Sequence, residues 1–299
     1  MRHKAEPPLS RLRVLSMVRL TVLSRPPAPK LGYLVFDPIN ARGPLLPGKL
    51  CVPVSMEKMR NALPLLVSVD SMQDGEREAI NQMAMSELRE EYPPYLCSWF
   101  GSEVSLDEVS GHMAQCLHVR SGHDSVYWRW FDPRVFVVAA HVMDEDQIDS
   151  LLGPIDEWHF PWLGEWWCLA RSGTVPMITA QIRAVPREDQ WHMLTCSARI
   201  TTVIGRIRTS DLAPESKLSL LAKTIELFEE AQSVYRIQKQ DDQIDFATYG
   251  LRFGHHFFTH HRLVDVWGDF ASGVICWSEF ISHLSDDVLR QLEARERGQ

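Results

Sequence analysis

The segment Val126-Tyr127-Trp128-Arg129-Trp130-Phe131-Asp132-Pro133-Arg134-Val135-Phe136 changes its period partway along. From Val126 to Phe131 large apolar residues alternate with others, the pattern of a strand with one buried face. Asp132 offers a carboxylate to unpaired backbone N–H groups, and Pro133 fits a first helical position, where no N–H is needed. The chain is therefore expected to pass from strand to helix at Asp132. Asp144 and Gln147 repeat the start signal as a capping box, and Gly153-Pro154 stops the second helix.

Upstream, Leu31–Asp37 reads as a strand running into an acidic turn. A Pro/Gly-rich loop follows from Pro38 to Pro53. Ala62–Val69 and Tyr95–Gly101 are further apolar strands. The stretch 76–91 is an amphipathic helix with Ile80, Met83 and Leu88 on one side, halted by Pro93-Pro94. Ser105 or Asp107 starts a helix through Leu117. The runs 117–120 and 126–131 then form a hairpin around Gly122.

Downstream the pattern turns helical. Leu218, Leu221, Ile225, Phe228, Gln232 and Tyr235 step by three and four, the seam of an amphipathic helix with one polar member. Shorter helices are expected over 245–251, 259–267, 271–280 and 285–293, with Gly250 and Gly268 as C-terminal caps. The expected fold class is α+β: an N-terminal mixed α/β lobe over 31–172, then an α-helical C-terminal lobe over 173–299. Residues 1–30, rich in Arg and Lys and closed by Pro26-Pro27-Ala28-Pro29, are read as a flexible basic extension.

Net charge of −8 argues against a general nucleic-acid binder, which shows a basic face. No stretch approaches the roughly 18 uninterrupted apolar residues of a membrane span, and Arg19 interrupts the apolar run near the N-terminus. A cytoplasmic protein is expected, with its six scattered cysteines buried and reduced. Ten tryptophans are a heavy load; Trp158, Phe160, Trp162, Trp166 and Trp167 crowd one short segment. A spacing of four would align Trp158, Trp162 and Trp166 on a helix, but Pro161 and Gly164 oppose a regular one.

Catalytic signals are sparse. His256 and His260, within the run 255–261, would share one face of a helix, as a two-ligand zinc site requires. Phe257 and Phe258 stand where a metalloprotease places its glutamate base. Cys116 and His118 are too ordinary a pair to indicate a nucleophile. Nucleophile elbows and phosphate-binding glycine loops are absent from the sequence. No catalytic residue, no metal and no cofactor is expected.

The strand, the helix start at Trp130-Phe131-Asp132-Pro133-Arg134, the short helix and the Gly-Pro stop resemble the adaptor (effector-chaperone) domain of bacterial type VI secretion systems. That family was long described as a domain of unknown function. Leu31–Asp37, Ala62–Val69 and Tyr95–Gly101 are similar to its opening strands. The segments 247–251 and 266–270 are similar to its helical lobe, so the likeness spans roughly 31–290. The resemblance implies a non-catalytic cytoplasmic adaptor that binds an effector toxin and helps load it onto the valine-glycine-repeat (VgrG) spike, without nucleic acid or membrane as partner. A cleft between two lobes would hold the client. Its expected contacts are Trp158, Phe160, Trp162, Trp166, Trp167 and Gln232; packing in the interior is the competing fate of the tryptophans. Asp132 and Arg134 are expected to cap and fasten the corner, or to join the docking surface. A metal-dependent hydrolase using the 255–261 histidines, and an immunity protein that neutralises a toxin, are the alternatives.

Overall fold

The computed structural model describes residues 19–25, 32–42, 48–53, 56–88, 93–121, 124–172, 184–207 and 212–296. The chain divides into two compact units, Arg13–Thr195 and Cys196–Gln299. Residues 173–183 of the boundary expected between Ser172 and Arg187, the Gly122 turn and most of the basic extension lie outside the described residues.

The first unit contains, in chain order, β1 (Leu20–Leu23), β2 (Tyr33–Phe36), β3 (Lys49–Leu50), β4 (Leu65–Ser68), α1 (Asp74–Glu87), β5 (Leu96–Gly101), α2 (Leu106–Leu117), β6 (His118–Ser121), β7 (Asp124–Tyr127), α3 (Pro133–Val142), α4 (Glu145–Leu152), β8 (Glu157–Trp162), β9 (Glu165–Ala170) and α5 (Glu188–Leu194). Seven strands form one sheet in the order β1-β9-β8-β5-β2-β4-β3, antiparallel at every pair. β6 and β7 make a separate hairpin. Within the stretch read as an extension, Leu20–Leu23 is thus an edge strand, paired with Leu169 to Trp166.

The start signals read from the sequence operate. Ser105 caps α2 in a capping box with Glu108, Asp144 caps α4 with Gln147, and Asp132 caps α3 with Pro133 at its first position. The strand before that corner is shorter than its alternation implies. β7 ends at Tyr127, and one further backbone bond, Trp128 N–H to Leu117 O, closes the hairpin. Arg129 to Asp132 then turn, the Asp132 N–H donating to Arg129 O at 3.0 Å. Apolar residues at 128, 130 and 131 keep the look of a strand because all three are buried.

Both sheet faces are covered. On one, Leu34, Val67, Trp99 and Trp166 pack with Ile80 and Ala84 of α1. On the other, Phe136 of α3 meets Trp158 and Phe160 at ring separations of 5.5 and 5.1 Å, and Trp130 meets Trp158 at 5.0 Å. Burying such rings stabilises the fold roughly in proportion to the apolar area removed from water.

The second unit is helical: α6 (Ser197–Gly205), α7 (Pro214–Glu229), a π turn (Glu230–Val234), α8 (Gln240–Phe253), α9 (His255–Thr259), α10 (Val264–Ala271), α11 (Trp277–Ser282) and α12 (Asp286–Glu296). The molecule is α+β with a helical C-terminal region. Two expected caps are corrected. Gly250 lies inside α8, where a Cβ would meet Leu227 Cδ2 at 2.6 Å, so it permits close helix packing; Gly254, at φ 54°, ends the helix. Gly268 is interior to α10. Among the described residues no helix is long and apolar enough to cross a membrane.

Candidate functional site

The strand-to-helix corner gathers four charged side chains from two distant segments. Asp132 Oδ1 accepts the Arg134 N–H at 3.0 Å and Arg134 Nε at 2.9 Å, while Oδ2 accepts Nη2 at 2.6 Å. The carboxylate therefore serves as helix cap and as one half of a bidentate fork. Arg129 Nη2 lies 3.7 Å from Asp132 Oδ2 and donates to Asp37 Oδ2. Asp37 also accepts from the Ile39 N–H at 3.2 Å and from Asn40 Nδ2 at 2.6 Å, and Asn40 reaches Pro94 O at 3.2 Å. Its own N–H donates to Tyr95 O at 2.8 Å. This links the end of β2, the entry to β5 and the start of α3.

Asp37 is completely buried and Asp132 nearly so, whereas 25% of the Arg129 side chain and 30% of the Arg134 side chain stay exposed. Burial pushes the Asp37 carboxyl above its usual range, and the Arg129 guanidinium opposes that push. The hydrogen bonds to Asp132 raise Arg134. Every charge has a partner, which is what burial at this depth requires. The corner fixes geometry and presents two guanidinium edges outward. The sequence indicated Asp132 and Arg134 but not Asp37 or Arg129: a pairing across 92 residues leaves no local spacing to read.

The aromatic cluster goes elsewhere than expected of docking residues. Trp158, Phe160, Trp162, Trp166 and Trp167 are all buried, none more than 6% exposed. Leu163 and Gly164, both at positive φ, fold the segment into the β8–β9 hairpin. Trp158, Phe160, Trp162 and Trp167 then share one sheet face, where Phe136 of α3 packs on the first two, and Trp166 lies on the other, in the cluster with α1. These rings pack in the interior of the first unit. Trp167 Nε1–H donates to Trp162 O at 2.9 Å.

Gln232 also leaves its expected place. The π turn, with Tyr235 N–H donating to Glu230 O at 3.0 Å, shifts the seam by one residue, so Ala231 is buried and Gln232 half-buried. Gln232 Nε2 donates to Cys196 Sγ at 3.4 Å and Gln243 Oε1 at 3.3 Å.

The histidine run does not form one continuous helix. α9 ends at Thr259, and His260 is extended, buried, and 3.3 Å from Gln291 Oε1. The side chains of His255 and His256 lie outside the described residues. Cys116 sits 3.7 Å from His112 Nε2, and burial pushes its thiol up to about 12. Cys51 is likewise pushed up to about 12 by burial. At these two positions the geometry disfavours a thiolate nucleophile.

A family model described as Domain of unknown function (DUF4123) matches residues 47–150. The matched stretch runs from just before β3 into α4, so it contains the Asp132-Pro133-Arg134 corner; β8, β9 and the second unit lie beyond it. No curated protein and no solved structure matches the chain.

Proposed function

We propose that the chain is a non-catalytic cytoplasmic adaptor that binds a type VI secretion effector and helps load it onto the VgrG spike. One observation carries the reading. The motif that resembles the adaptor family, Trp130 to Arg134, falls inside the stretch matched as a domain of unknown function and is built as a fully paired corner. A carrier needs a preorganised surface, since ordering a mobile one on binding costs affinity.

With the aromatic cluster committed to the core, the docking surface in this proposal includes the corner itself. The exposed edges of Arg129 and Arg134 supply polar contacts of the kind found around an interface centre.

Co-expression with the toxin and spike proteins encoded beside the gene, followed by size-exclusion chromatography, tests the proposal. The expected result is a stable complex with the toxin, loss of toxin export on deleting the adaptor gene, and weaker co-elution for Arg134→Ala. Export that persists in the deletion strain, with no complex formed, refutes it. Protection of recipient cells from the toxin would instead identify an immunity protein.

A further inference from the structure

On the sheet face opposite Trp158, three potential metal ligands converge near the β1 edge. His159 and Cys168 are direct partners across the β8–β9 ladder, and Glu157 lies two residues before His159 on the same face. One donor atom from each of the three lies within 4.8 Å of the other two. Glu157 Oε2 is 3.0 Å from His159 Nε2, and His159 Nδ1 is buried without a hydrogen-bond partner. On the far side of Cys168, Thr21 of β1 is its strand partner and hydrogen-bonds to its sulfur. Exposure is graded: Glu157 is exposed, His159 half-buried and Cys168 buried.

We propose that Glu157, His159 and Cys168 form a binding site for a zinc-class divalent cation, with a solvent oxygen as fourth ligand. A thiolate, an imidazole and a carboxylate are the donor types that zinc accepts, at about 2.3, 2.0–2.1 and 2.0–2.2 Å. Those bond lengths place tetrahedral donors about 3.3–3.7 Å apart. Glu157 Oε2 and His159 Nε2, 3.0 Å apart, already stand near that spacing, and every donor pair lies within 4.8 Å. His159 and Cys168 sit on adjacent strands whose register fixes them, so most of the site is preorganised. The exposed Glu157 side provides the entry path and the place for the solvent ligand. On binding, the thiol proton leaves to solvent as the sulfur–metal bond forms, and the cation's two charges balance the thiolate and carboxylate. An ordinary surface ion pair accounts for Glu157 and His159. It does not account for a buried thiol aligned opposite the imidazole or for the unpartnered ring nitrogen.

This site is separate from the carrier reading and is tested without it. The full-length untagged chain, stripped with a chelator, is titrated with Co²⁺ as a spectroscopic substitute for zinc. One equivalent is expected to bind, with a sulfur-to-cobalt charge-transfer band in the near ultraviolet that Zn²⁺ abolishes by displacement. Cys168→Ser removes the band. Glu157→Gln and His159→Gln each weaken binding at least tenfold, and the pair His255→Gln with His256→Gln changes nothing. The assignment is overturned if the folded wild type shows no saturable cobalt binding, or if the band survives in Cys168→Ser. It is also overturned if either Glu157→Gln or His159→Gln binds as tightly as the wild type. Glu157 is exposed, so its variant decides the matter even if Cys168→Ser fails to fold.

Discussion

The imidazole of His112 occupies the space that a side chain at Gly153 would need. A Cβ built on Gly153 overlaps Cε1, Nε2 and Nδ1 of that ring. Gly153 also adopts φ 56° and ψ −110°, a conformation open to glycine and strained for other residues. The stop signal after α4 is therefore a packing contact as well as a turn. Gly153→Ala is expected to destabilise the protein by about 2–4 kcal/mol, from overpacking and backbone strain together. Urea denaturation measures it; a cost within experimental error would mean that His112 readily moves aside.

Asp132→Ala removes a helix cap and leaves Arg134 and Arg129 short of a carboxylate. The expected loss is about 2–4 kcal/mol, discounted because both guanidiniums remain partly in water. Asp132→Asn keeps a capping oxygen and should cost less. Equal losses in the two variants would show that the charge, and not the cap, fastens the corner.

Trp166→Ala empties a site against α1 and is expected to cost about 3–5 kcal/mol. Combined with Trp162→Ala, it should leave no cooperative thermal transition near that of the wild type. A double variant that melts normally and merely loses a binding partner would put these rings outside the core.

Burial holds the His112 imidazole below its ordinary range, against the pull of its hydrogen bond to Leu151 O at 2.9 Å. The unfolded chain then binds more protons than the folded one as pH falls below about 6.5, so stability drops there and is fully present above it. The slope is at most about 1.4 kcal/mol per pH unit for this one group. His112→Gln should remove that part of the slope between pH 7 and 5. Denaturation curves for both proteins across this range give the difference, and parallel curves would exclude His112 as its source.

Local signals are legible in the sequence because each acts within a few residues. Ser105 with Glu108, Asp144 with Gln147 and Asp132 with Pro133 satisfy helix N-termini by contacts no longer than one turn. The α+β division follows from the same periodicities. The aromatic segment was harder: a spacing of four among Trp158, Trp162 and Trp166 mimics a helix face, and only the Leu163-Gly164 reversal reveals a hairpin that splits them. The seam at Gln232 misleads because one π turn adds a residue to the repeat. Asp37 with Arg129, and His159 with Cys168, depend on tertiary and strand register, so neither pair is visible as a motif.

β1 has a consequence for how the protein comes into being. Leu20–Leu23 leaves the ribosome well before its partner Leu169–Trp166, with most of the first unit made in between. That edge cannot close cotranslationally until then, and such distant pairings form slowly. A truncated product beginning after residue 25 would carry β9 with its outer backbone groups uncovered, a template for adding a strand from another molecule.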